Sequence, residues 1–158
     1  MTRRRIALHL GRLAAGLLGA AILSLAVLSN MAVRPTNLGA TEGRLAECPA
    51  TPNCVSSQTD REDRRLPPLA FPGEPQAALE RLRQVVEAMP RSHVVAATDG
   101  YLHVEYTTAF FRFVDDVEFL VGPSQSVIHF RSASRVGRND LGANRRRMEA
   151  IRREFEAE

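Results

Sequence analysis

A chain of 158 residues with 44% hydrophobic and 25% charged residues has room for one compact domain, and its composition excludes wholesale disorder or a fibrous repeat. All 21 basic residues are arginine, which excludes chemistry built on a lysine, from Schiff bases to the P-loop cation. The net charge of +3 is lopsided: Arg3, Arg4, Arg5, Arg12 and Arg34 stand in a first stretch without acids, whereas from Pro35 onward 16 arginines face 18 acids. A domain that lives on phosphate contacts needs a basic face. This one is slightly acidic, which argues against nucleic acid as a partner.

The chain opens on arginines and continues as an apolar run from Leu13 to Val33, broken only by Ser24, Ser29 and Asn30. At the helical rise such a run spans roughly 31 Å, enough for the hydrocarbon core of a bilayer. The basic flank would stay in the cytoplasm and send the rest across. A cleaved secretory signal shares this layout, and Thr2 to Ile6 resembles a twin-arginine export signal. Length favours an anchor, Val27 and Ser29 make a mediocre cleavage pair, and no lipidation cysteine follows. Residues 1–34 are therefore expected to be a transmembrane anchor or signal segment, with residues 35–47 a linker to a single domain over 48–158.

Cys48 and Cys54 are the only cysteines. An even count in an exported chain reads first as a disulfide. The spacing, with no nearby histidine, suits neither a zinc site nor a C-x-x-C redox pair. Beyond them, the charged stretch Thr59 to Arg65 and the proline-rich Leu66 to Pro75 predict an extended wrap over the surface. Gln76 to Met89 predicts a helix, with Ala78, Leu79, Leu82, Val85, Val86 and Met89 on one face and Pro90 as its stop.

Four strands follow. His93 to Thr98 leads through Asp99-Gly100, a strong hairpin signal, into the alternating Tyr101 to Thr107. Phe111 to Val121 alternates again, and Asp115 breaks its apolar face, which points to a bulge or a functional position. Gly122-Pro123-Ser124 turns the chain into Ser126 to Ser132. A last helix starts near Leu141, capped by Asn139 or Asp140, with Leu141, Met148, Ile151 and Phe155 as its stripe. The expected fold is α+β: a four-stranded antiparallel meander packed against two helices, preceded by a transmembrane helix.

Two constellations stand out. Between the last strand and the last helix lie Arg131, Ser132, Ser134, Arg135, Arg138 and Asp140. Arginine forks beside a helix N-terminus suit an anion, such as a lipid headgroup, an acidic small molecule or an acidic protein partner. The alternative is that these arginines pair with Glu105, Asp115, Asp116, Glu118 and Asp140. The second constellation, His103, Glu105, Asp115, Asp116 and His129, could ligate a divalent metal for a metal-assisted hydrolase. Its spacing is that of ordinary strand alternation. No serine sits in a G-x-S-x-G setting, and no catalytic residue or cofactor is implied.

The segments C-P-A-T-P-N-C-V-S-S-Q, Y-L-H-V-E-Y-T-T, F-R-F-V-D-D-V-E-F and R-S-A-S-R-V-G-R-N-D-L-G-A-N-R-R-R resemble, in this order, the hallmark blocks of the domain of unknown function 1499 family. The resemblance covers roughly Leu45 to Phe155. It implies an envelope-associated or plastid protein of no established activity, and it supplies no catalytic residue. With the N-terminal segment, the expectation is a bacterial inner-membrane protein whose domain faces the periplasm, or one released there by signal cleavage. Its expected role is a non-enzymatic binding or scaffolding module.

Overall fold

A computed structural model describes residues 3–30, 32–122 and 126–157. In chain order the elements are α1 (Arg3–Asn30), β1 (Ala40–Thr41), β2 (Arg44–Leu45), β3 (Cys54–Ser56), β4 (Leu69–Ala70), α2 (Pro75–Ala88), β5 (Ser92–Thr98), β6 (Tyr101–Thr107), β7 (Val114–Val121), β8 (Val127–Ser134) and α3 (Ala143–Ala157). The fold is α+β, with an antiparallel sheet and helices on one face.

The predicted meander β5 to β8 is present, but the sheet has six strands, not four. Both additions join β8: β3 pairs along its C-terminal half and β4 along its N-terminal half. They escape sequence reading because strands of two or three residues carry no periodicity. The proline-rich stretch therefore does not simply wrap the surface. Leu69 and Phe71 are buried in the core. Arg64 is also buried, donating to the carbonyls of Pro49 and Ala50 in the cysteine loop, and Cys48 and Cys54 form a disulfide.

The core lies between the sheet and the two later helices. Leu102, Val104, Val117, Phe119, Ile128 and Phe130 meet Leu79, Leu82, Val85 and Val86 of α2 and Met148, Ile151 and Phe155 of α3. Pro75 opens α2, where its missing N–H costs nothing. At α3 the Asp140 carboxylate accepts from the N–H groups of Gly142 and Asn144, so the helix starts two residues later than expected. Leu141 consequently leaves the apolar stripe and stands exposed.

The bulge expected at Asp115 is absent: β7 keeps unbroken register with both neighbours, and the irregularity lies between Val94 and Ala96. The turn at Pro123 and Ser124 lies outside the described residues. Among the described residues no helix is long and apolar enough to cross a membrane. This corrects the expected transmembrane helix. Of the run, α1 includes Leu13 to Asn30, about 27 Å at the helical rise; Met31, within that run, lies outside the described residues. The segment expected as a linker contains the β1–β2 hairpin and docks on the sheet face away from the helices through Gly39, beside Arg34 just before it.

Candidate functional site

Alternation on β6, β7 and β8 sends His103, Glu105, Asp116, Glu118, Arg131 and the following Arg135 to the sheet face opposite the helices. There they form an ionic lattice in two parts, one around Asp116 and Glu105 and one around Glu118. Arg135 donates from Nε to Asp116 Oδ2 at 2.8 Å and from Nη2 to Asp116 Oδ1 at 2.7 Å, and it also bonds Glu105. His103 Nε2 lies 2.8 Å from the same Asp116 Oδ1. Arg34 grips Glu105 Oε1 at 2.6 and 3.0 Å. One strand further, Arg131 donates to Glu118 Oε2 at 3.0 Å, and Tyr101 and the Gly39 N–H donate to Glu118 Oε1.

Asp116 is only 1% exposed and Glu118 is fully buried, so these charges persist only because each is matched. Burial alone would raise the Asp116 carboxyl. The hydrogen bonds from Arg135 and then His103 outweigh it and hold the group below its ordinary range. Glu105 is lowered in the same way, with burial opposed by Arg135 and Arg34. Burial, reinforced by the Glu118 charge, pushes the Tyr101 hydroxyl up.

The predicted arginine cluster is thus split. Arg131 and Arg135 are spent on Glu118, Asp116 and Glu105, whereas Arg138 is exposed and, among the described residues, in no ion pair. Of the predicted metal-ligating set, His103, Glu105 and Asp116 bring ligand atoms within 4.8 Å of one another, with the Arg135 guanidinium bonded to both carboxylates. His129 is not among them; it contacts Ser57 Oγ through Nδ1 at 3.3 Å. Asp115 faces the other way and pairs with Arg147 of α3.

Ser132 and Ser134 also face α3, where they meet a residue the sequence reading missed. Asn144 accepts from Ser132 Oγ and Arg147 Nη1, each at 2.6 Å, and donates to Ser134 Oγ and to the carbonyl of Asn53, each at 3.0 Å. Asn53 in turn donates to the carbonyls of Ser134 and Gly137. This hub ties the disulfide loop, β8 and α3 together. A signal existed: Asn144 falls in step with Met148, Ile151 and Phe155 on the buried stripe, a place where a polar residue needs partners.

Next to the hub, at the sheet end where β6 stops, β7 starts and β8 stops, lies a groove of about 630 Å³. Its walls are the β6–β7 loop, with Thr108, Phe111 and Phe113, and the β8–α3 loop, with Val136, Gly137 and Leu141. Its surface is predominantly apolar, while Thr108, Asp115, Ser134, Asn139 and Asp140 line it as polar groups. Size and lining are those of a site for an apolar ligand. The rim is exposed and apolar: Phe110 is 92% and Leu141 83% exposed. Among the described residues, four non-glycine residues take left-handed backbone, and three of them, Arg91, Arg112 and Leu141, belong to the loops at this end. Such strain gathers where a loop geometry is over-determined by its surroundings, functional sites included.

The sequence profile of one family, described as a protein of unknown function (DUF1499), matches residues 44–155. The chain belongs to this family. Comparison with curated proteins returned no match, and comparison with solved structures returned none. The DUF1499 region starts at β2 and ends in α3, so it holds the disulfide, the hub, the groove and the ionic groups of β6 to β8 together, while Arg34 and Gly39 precede it.

Proposed function

We propose that the protein is a non-enzymatic binding module held at a membrane by its N-terminal segment, with the disulfide-bearing domain on the exported side. Its ligand site is the groove between the β6–β7 and β8–α3 loops, and the arginine segment contributes the groove's wall. The groove itself carries this reading: it is large and mostly apolar, and two strained, exposed loops frame it. Membrane attachment is supported by the exposure of Leu13, Leu17, Leu18, Ile22 and Leu23 along α1, because an exposed apolar helix with a basic start requires an apolar surrounding.

All buried residues among those described lie at Leu45 or beyond, so the chain from Ala32 onward suits a solution test. That fragment should enhance the fluorescence of the apolar probe N-phenylnaphthylamine saturably. Val136→Arg places a charge in the wall and should abolish the enhancement without changing the melting temperature. Equal binding by both proteins, or none by either, would refute the reading.

A metal-assisted hydrolase has one observation in its favour, the convergence of His103, Glu105 and Asp116. A metal there would have to displace Arg135 from two carboxylates. Near-stoichiometric divalent metal after metal-replete purification would favour this second reading over the first.

A further inference from the structure

Apart from α1, the large apolar side chains that stand exposed among the described residues are Val33, Phe110, Phe111 and Leu141. Phe110, Phe111 and Leu141 sit in the two loops that frame the groove. Val33 precedes Arg34, whose guanidinium is fixed on Glu105, two residues before β6 ends at this same end of the sheet. Charge follows the same polarity. Arg91, Arg112 and Arg138 are exposed here, and among the described residues none of them is in an ion pair. At the opposite end of the sheet, the β5–β6 turn and the start of α2 expose Asp99 and Glu74.

The chain supplies the direction. Asn30 ends α1, and Arg34 is docked four residues later, a reach of at most about 14 Å. A membrane that holds α1 therefore lies close to the end of the domain that carries the phenylalanines, Leu141 and the three arginines. Exposed aromatic and aliphatic tips ringed by arginine are the composition of a surface that enters the headgroup region of an anionic bilayer.

We infer that the β6–β7 and β8–α3 loops form a second membrane contact, in which Phe110, Phe111 and Leu141 enter the interface of an anionic phospholipid bilayer and Arg91, Arg112 and Arg138 meet its headgroups. This contact opens the groove on the lipid phase, so the apolar ligand of the proposed site is an acyl chain drawn from the membrane. The inference rests on the membrane-attachment reading above, and it replaces a generic apolar ligand with a lipid.

The absence of tryptophan makes the test direct. The full chain carrying Phe110→Trp is reconstituted into phosphatidylcholine vesicles containing phosphatidylglycerol, and its emission is compared with that of Gln76→Trp at the opposite end. The expected result is a blue-shifted emission for Phe110→Trp, quenched by lipids brominated near the headgroup, with Gln76→Trp remaining water-like. Adding Arg112→Glu and Arg138→Glu should reduce the quenching several-fold in phosphatidylglycerol vesicles and leave it unchanged in pure phosphatidylcholine. Flotation of the same samples separates the two claims. A chain that floats with vesicles while both indoles stay water-like keeps the attachment reading and overturns the second contact. A chain that does not float overturns both.

Discussion

Replacing Arg135 by Met probes the ionic lattice where its energetics are least ambiguous. Asp116 is almost wholly buried and takes two hydrogen bonds from Arg135 and a contact from His103. Removing one partner of a buried ion pair costs about 3–5 kcal/mol, because the remaining charge has lost its match and cannot reach water. Glu105 keeps Arg34 and is less buried, so most of the loss falls on Asp116. Linkage fixes how the effect varies with pH. In the wild type the Asp116 and Glu105 carboxyls sit below their ordinary range. The stability they contribute is thus present above pH about 4 and is lost as pH falls through their folded values. In Arg135→Met the bonds from Arg135 are gone and only His103 still opposes burial, so the Asp116 carboxyl rises. The variant should recover stability at Asp116 as pH falls from 7 towards 5. The wild type loses a little there, because burial lowers His129 in the fold and the unfolded chain takes up that proton first. Guanidinium unfolding of the fragment from Ala32 onward, at several pH values, reads both quantities. A loss below about 1 kcal/mol at pH 7, in the range of an exposed pair, would refute this reasoning. So would a pH slope equal to that of the wild type.

Two further outcomes follow from the same geometry. Asn144→Ala deletes four hydrogen bonds at a fully buried position and should cost about 3–4 kcal/mol in chemical denaturation; a loss under about 1 kcal/mol would mean that the hub is not structural. Reduction of Cys48–Cys54 should lower stability by about 2 kcal/mol while leaving the far-ultraviolet circular dichroism native, because Arg64 still holds the carbonyls of Pro49 and Ala50. Unfolding on reduction, or no change in the melting temperature, would contradict this.

Much of the domain was legible because its elements bury one face each. Strict alternation on Tyr101 to Thr107 gave β6 to the residue, and the three- and four-residue recurrence from Ala78 to Val86 gave α2 within one position. β3 and β4 were not legible: they are too short for a period, and they exist because β8 offers them an edge. Asp115 is anomalous on an apolar face in the sequence, but its reason is Arg147, 32 residues further on, which lies beyond any local pattern.

The site divides in the same way. In the sequence Arg131 and Arg135 stand in one cluster with Ser132 and Ser134, yet alternation along β8 sends the arginines and serines to opposite faces of the sheet. The alternative pairing of these arginines with Glu105, Asp116 and Glu118 is the one the structure contains. The groove was invisible in sequence because two loops that are distant in the chain form it, and loops carry no periodic signal. Phe111 and Leu141 are expected inside a strand and a helix, but β7 starts only at Val114 and α3 only at Ala143, which leaves both in loops.

Amide chemical shifts of the fragment from Ala32 onward, followed during titration with monodecanoylglycerol, test the ligand site most directly. Saturable shifts should concentrate at Thr108, Phe111, Phe113, Val136, Gly137 and Ala143, with Glu105, Asp116 and Glu118 little changed. Shifts centred on those three acids and Arg135, or none up to the solubility limit of the lipid, would contradict the groove as the binding site.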